Sequence, residues 1–239
     1  MRGAMILAAG RGERMRPLSD ATPKPLLEAG GKALIVRQIE ALARAGFDRI
    51  VVNVAHLAPQ FTDRLGDGSA LGVKLLWSVE PVALETAGGI ATALPLLPPG
   101  PALVVSADIW SAFDYATLLP RMDAMAADPS AARVHLVMVP NPPYHPAGDY
   151  ALAADPRGSL ALAGDARLTY GNIGVYDTAL FGELPRGVKL KLAPLLSGWI
   201  GQGLATGERY DGPWANVGTP ADLARLDNTL RTASGDSPG

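Results

Sequence analysis

Between Leu7 and Pro25 the chain reads LAAGRGERMRPLSDATPKP. Gly10 and Gly12 stand one residue apart, and without Cβ atoms their backbone amides can approach a bulky anion closely. Arg14, Arg16 and Lys24 add fixed positive charge nearby. The apolar run 4–9 before them fits a buried parallel strand. A strand that opens into a glycine turn with three cations is suited to cradling a polyphosphate. A bare GxG is also found as a tight turn with incidental surface arginines; Arg14, Pro17, Lys24 and Pro25 shift the balance toward the cradle.

Spacing excludes two other phosphate cradles. A dinucleotide fingerprint requires a third glycine three places after the second, where Met15 stands. A P-loop continues Gly-Lys-Ser/Thr, whereas Gly12 is followed by Glu13 and Arg14. Downstream, Asp108 follows the apolar run 102–106, at the sheet edge where the cradle should also lie. A lone carboxylate there can cap Ile109 and Trp110 or start a turn. Facing a triphosphate, it is also chemically sufficient to hold magnesium, which usually takes one or two carboxylates together with substrate phosphates.

The run LAAG-x-G-x-R-x-x-PL followed by PKP resembles the signature of the sugar-1-phosphate nucleotidylyltransferases. The resemblance implies a Rossmann-like α/β fold, in which a mostly parallel central sheet is flanked by helices and a small β subregion binds the sugar. It further implies that the glycine loop wraps a nucleoside triphosphate, that Arg14 meets the outer phosphates and that Lys24 reaches those at the reacting centre. Ala8, Ala9, Gly10, Arg11, Gly12 and Glu13 become nucleotide contacts, together with Glu80, Gly88 and Gly89. Asp108 becomes the ligand of a catalytic Mg²⁺. Where the family commonly shows Trp-x-Asp-x-Gly-Thr, this chain reads Trp214-Ala215-Asn216-Val217-Gly218-Thr219. Asn216 still offers a carbonyl oxygen to the metal but brings no charge.

Further stretches resemble the uridylyltransferase branch of that family that acts on N-acetylmuramate α-1-phosphate. They are Leu84-Glu85-Thr86-Ala87-Gly88-Gly89, Asn141-Pro142 with His145 and Gly148-Asp149-Tyr150, and Lys191-Leu192-Ala193-Pro194-Leu195-Leu196. The resemblance implies Asn141, Asp149, Asn172 and Lys191 on the sugar side, UTP as donor, and a role in cell-wall recycling. For Gly88 and Gly89 close helix packing is the competing reading, and for Asp149 and Lys191 ordinary solvated charge. Another sugar phosphate or base is the same-class alternative. A degenerate nucleotide-binding regulatory module is the rival from another class, supported by Asn216 alone.

Elements of alternating type must position these residues. Strands are expected at 49–53, 73–78, 102–106 and 134–139. Between them Ile35, Ile39 and Leu42 mark the stripe of a helix ending near Gly46, and further helices are expected at 58–65, 86–97 and 115–127. Met122 and Met125 read as core filler in the last of these. From 140 to 174 repeated Pro and Gly predict hairpins and loops around a pocket. Thr219 with Pro220 and Asp222 starts a final helix striped by Leu223, Leu226 and Leu230. One domain over 1–232 is expected, with a nucleotide half (1–110), a sugar-phosphate half (111–232) and a tail at 233–239.

Composition narrows the partners. Lys and Arg total 21 against 23 acids, for a net charge of -2, so no general basic field exists to hold nucleic acid. With no cysteine, disulfides and thiolate chemistry are impossible, which fits the cytoplasm. No apolar run reaches the length of a membrane span. His56, His135 and His145 are widely separated and are expected to be structural or surface residues, not zinc ligands. Oligomeric state cannot be read from the sequence.

Overall fold

A computed structural model describes residues 2–128, 132–164 and 166–234. One sheet contains β1 (Gly3–Leu7), β2 (Arg49–Val54), β3 (Lys74–Val79), β4 (Pro101–Ser106), β5 (Val134–Val139), β6 (Tyr150–Leu152), β7 (Leu160–Ala161), β8 (Arg167–Asp177) and β9 (Ala205–Arg209). β1 lies between β2 and β4, parallel to both, and β3 extends the parallel run beyond β2. β8 runs antiparallel between β4 and β5, while β9 is parallel to β5. The short β6 and β7 pair beside the start of β8. The longer helices are α1 (Leu34–Arg44), α2 (Pro59–Leu65), α3 (Glu85–Ala93), α4 (Leu119–Ala127), α5 (Leu192–Gly201) and α6 (Pro220–Ser234). This is the expected mixed α/β architecture around a mostly parallel sheet.

β1, β4 and β5 are apolar at nearly every position because both faces of the sheet are covered there. Ala4 and Ile6 point to one face, where they join Ile35, Ile39 and Phe47, whereas Met5 turns to the other with Ile90, Val104 and Trp199. Each fully buried side chain of this size contributes about 1.5–3 kcal/mol. A third, smaller cluster of Met15, Leu34, Val217 and Leu226 fastens α6 beneath the loop after β1. Met122 is buried in the first cluster and Met125 packs against it.

Three parts of the chain differ from the sequence-based reading. The stretch 140–174, expected as hairpins and loops, contains the first part of β8, an eleven-residue strand inside the sheet. Its glycines do not mark turns: a Cβ on Gly174 would lie 2.8 Å from the Tyr176 ring, and one on Gly171 3.0 Å from Val137 O. They are small because neighbouring strands and side chains crowd them. Second, α5 and β9 add a helix and strand where none was expected; Leu192, Leu196, Trp199 and Ile200 give α5 its buried side. Third, α6 runs to Ser234, so the beginning of the supposed tail is helical, and 235–239 lie outside the described residues.

The start of α6 is as expected. Asp222 Oδ2 accepts from Thr219 N at 2.8 Å while Asp222 N donates to Thr219 Oγ1 at 3.2 Å, a reciprocal cap. His135 is buried in β5 on the Thr206 hydroxyl. Among the described residues no group of three His, Cys, Asp or Glu is arranged to hold a metal, and no helix is long and apolar enough to cross a membrane.

Candidate active site

β1, β2 and β4 end together, with Leu7 in register with Asn53 on one side and Ser106 on the other. At that carboxyl edge, where ligands of parallel sheets collect, opens a cavity of about 1050 Å³. The loop after β1 forms one wall. Gly10 faces open space, with nothing within 4 Å of where a Cβ would stand, so a ligand can lie against its backbone. Gly12 is left-handed at φ 67°, and a Cβ there would come within 2.9 Å of Lys24 Cβ. Its carbonyl accepts from Ser19 Oγ at 2.8 Å, which pins the loop.

Lys24 is only 7% exposed and donates from Nζ to Asp108 Oδ2 at 2.7 Å. Asp108 Oδ1 accepts from Ser106 Oγ at 2.5 Å. Its carboxylate therefore faces the cavity, and neither the Ile109 nor the Trp110 amide is capped by it. Instead the chain turns directly into a two-stranded ribbon, Ile109–Ser111 against Trp214–Asn216, which pairs Ile109 with Asn216 and brings Asn216 beside Asp108. Asn216 Oδ1 is buried with no hydrogen-bond partner. An orphaned buried oxygen next to a carboxylate suits a divalent cation that takes oxygen ligands. The Tyr144 phenol lies beside the same asparagine, within the field of Asp108, Asp222 and Arg14.

At the other end Asp149 accepts from Tyr170 N at 2.8 Å and pairs with His145 Nε2 at 3.1 Å. Asn172 enters the cavity wall from a register shift in β8, at φ 58°. Lys191 stands just before α5 on the same wall. Below them the Tyr170 and Tyr176 hydroxyls meet at 2.8 Å, and burial pushes both phenols above their ordinary pKa.

The sequence profile of the nucleotidyl transferase family matches residues 3–146. The chain belongs to that family. It is 46% identical over 221 residues to the N-acetylmuramate alpha-1-phosphate uridylyltransferase of Neisseria meningitidis serogroup B, covering 92% of this chain and 94% of that one. To the enzyme of the same name from Caulobacter vibrioides it is 37% identical, covering 91% of this chain and 92% of the relative. A crystal structure from Bacillus anthracis assigned as a glucose-1-phosphate thymidylyltransferase superposes with TM-score 0.83 over 97% of this chain and 96% of its own, at 18% identity. That likeness shows the Rossmann-like fold.

In this nucleotidyl transferase one cavity gathers Ala8, Ala9, Gly10, Arg11, Gly12, Glu13, Arg14, Lys24, Asp108, Asp149, Asn172, Lys191 and Asn216. Five other residues stand elsewhere. Glu80 does not line the cavity: it is 2% exposed and accepts from Asn53 Nδ2 at 2.7 Å and Leu84 N at 2.9 Å. Burial raises its pKa against these two bonds, which lower it. Asn141 is spent on the loop framework, donating to Pro146 O and Arg167 O and accepting from Thr169 Oγ1. Arg16 pairs with Asp20 on the surface.

Gly88 and Gly89 take the packing role. The Gly88 amide already donates to Leu190 O at 3.1 Å, so it is not offered to a ligand. A Cβ on Gly88 would fall 2.2 Å from Val188 O, a backbone atom that cannot step aside. Gly88→Ala should therefore destabilise the enzyme by about 2 kcal/mol or more, lowering the melting temperature by several degrees. An unchanged melting temperature by differential scanning calorimetry would refute this tight contact.

Other residues at the site had not been anticipated. Ser106 ends a buried strand and Asn53 stands one residue before the end of another, and a polar residue late in an apolar run is the available signal. Glu85 lines the cavity at φ 61°, a conformation that no sequence pattern announces for a glutamate. Tyr144 and His145 reach the wall from the loop after β5.

Proposed function

We propose that this enzyme transfers a uridylyl group from UTP to N-acetylmuramate α-1-phosphate, giving UDP-N-acetylmuramate and pyrophosphate, in cytoplasmic cell-wall recycling. The observation that carries the reading is the ion pair of the buried Lys24 with the partly exposed Asp108 beside the orphaned Asn216 oxygen, set between the glycine loop and the wall of Asp149, Asn172 and Lys191. The names of two relatives that align over nearly their whole length supply the substrates.

In this reading a phosphate oxygen of the sugar phosphate attacks the α-phosphorus in line, forming one P–O bond as the bond to the departing pyrophosphate breaks. No protein nucleophile is required, and the attacking monoester is already anionic, so no strong base is needed. Backbone amides around Gly10, the Arg14 guanidinium and Lys24 hold and neutralise the phosphates. Asp108 and Asn216 would hold Mg²⁺, which when bound supplies further neutralisation of phosphate charge. Lys191 offers a cation to the anionic sugar phosphate.

The test is pyrophosphate release with Mg²⁺, each nucleoside triphosphate being paired with the α-1-phosphates of N-acetylmuramate, N-acetylglucosamine and glucose. The expected result is release with UTP and the muramate ahead of every other pair. A different preferred pair would keep the mechanism and discard these substrates. Nucleotide binding without turnover on any pair would favour the regulatory module, with the Asn216 substitution as its cause.

A further inference from the structure

We propose that Asn53 and Glu80 are positioning residues: a buried hydrogen-bond relay of fixed direction that holds two walls of the cavity, the loop after β1 and the turn before α3, at one separation. Ala8 N donates to Asn53 Oδ1 at 2.9 Å, Asn53 Nδ2 donates to Glu80 Oε1 at 2.7 Å, and Leu84 N donates to Glu80 Oε2 at 2.9 Å. Ala8 opens the glycine loop, and Leu84 precedes Glu85 and Thr86, which line the opposite wall. Elements more than 70 residues apart in sequence are thus joined by two side chains.

The chemistry of the relay follows from its ends. Both terminal partners are backbone N–H groups, which can only donate. Asn53 must therefore turn its oxygen to Ala8 and its amino group to residue 80. Position 80 must in turn accept at both of its polar atoms, which a carboxylate does and a glutamine amide does not. Asn53 is 3% exposed and Glu80 2%, so water is poorly placed to repair a mismatch. There is also no slack: a Cβ on Gly89 would stand 2.6 Å from Asn53 Nδ2 and 3.0 Å from Glu80 Oε1, so α3 packs directly on the relay. This gives the glycine at 89 a reason that needs no ligand.

Which substrate responds rests on the triphosphate reading given above. The walls joined are the glycine loop and the start of α3, whereas Asp149 and Asn172 lie on strands and loops that the relay does not touch.

The test is a polarity exchange with near-isosteric residues. Glu80→Gln sets an amino group against a donor, and Asn53→Asp sets two carboxylates face to face. Each is expected to raise KM for the triphosphate by about tenfold or more, with the sugar-phosphate KM changing less, and to speed amide hydrogen exchange at Ala8 and Leu84. The double variant Asn53→Asp/Glu80→Gln reverses only the central bond, since the introduced amide can donate to the introduced carboxylate while both backbone donors keep an acceptor. It should recover most of the lost affinity and amide protection, a non-additivity that a merely bulky or destabilising change would not produce. Additive losses in the double variant, single variants with unchanged nucleotide KM, or an equal rise in both KM values would overturn the relay. Should the wild-type enzyme turn over no pair of substrates, the proposed function fails by itself. Amide exchange and melting of the same variants then decide the relay.

Discussion

Asp108→Asn should abolish magnesium-dependent turnover while the enzyme remains folded. The substitution keeps the volume and leaves an oxygen for Lys24, which at 7% exposure would otherwise be a nearly buried cation without a partner. What it removes is the negative charge facing the cavity. The neighbouring Asn216 oxygen is neutral, so the exchange takes away the carboxylate that a divalent cation beside it would use. Circular dichroism melts establish the fold, and pyrophosphate release across a magnesium titration reads the loss. Wild-type turnover by the variant would remove Asp108 from the proposed metal site. A companion Asn216→Ala enzyme should need more magnesium for half-maximal rate; the same apparent affinity would dismiss the assisting role of Asn216.

Lys24→Ala should lower kcat by about 10²-fold or more, the typical loss when one preorganised electrostatic contact is removed from a reacting centre. Lys24 is held in place from two sides. Its Cβ fills the space that a side chain at Gly12 would need, and its Nζ rests 2.7 Å from Asp108. A cation so fixed needs no reorganisation when charge develops on the phosphates, which is why kcat should suffer more than KM. Single-turnover rates at saturating substrates separate the two effects. A fully active Lys24→Ala enzyme would overturn the assignment. Because the variant also leaves Asp108 without its cation, Lys24→Arg is a useful control: it keeps the charge, and its incomplete recovery would show that position matters as well as charge.

What could be read from the order of residues was local. Gly10, Gly12, Arg14 and Lys24 lie within a short segment, and their spacing alone set aside the dinucleotide and P-loop cradles; the triphosphate was implied by the family resemblance. Alternation of apolar strands and striped helices announced the sheet, because burial on both faces leaves continuous apolar runs such as 50–52 and 102–105. β8 escaped because its glycines, which relieve crowding between strands, carry the same letters as turn glycines.

Tertiary structure decided which expected residues reach the cavity and which stand behind it. Glu80 and Asn141 are expected contact residues, yet both are engaged by groups that lie far away in sequence: Asn53 for the first, Arg167 and Thr169 for the second. Gly88 and Gly89 are small because Val188, Leu190, Asn53 and Glu80 press against them, and nothing within α3 itself discloses that. Asn216 is a candidate ligand from the resemblance alone, but only the ribbon with Ile109–Ser111 sets it beside Asp108, some hundred residues earlier in the chain. The sequence by itself determined the family, since the residues that carry its signature are covalently close. The division between contact and support was left to the fold, because hydrogen-bond partners and steric limits are set by neighbours in space.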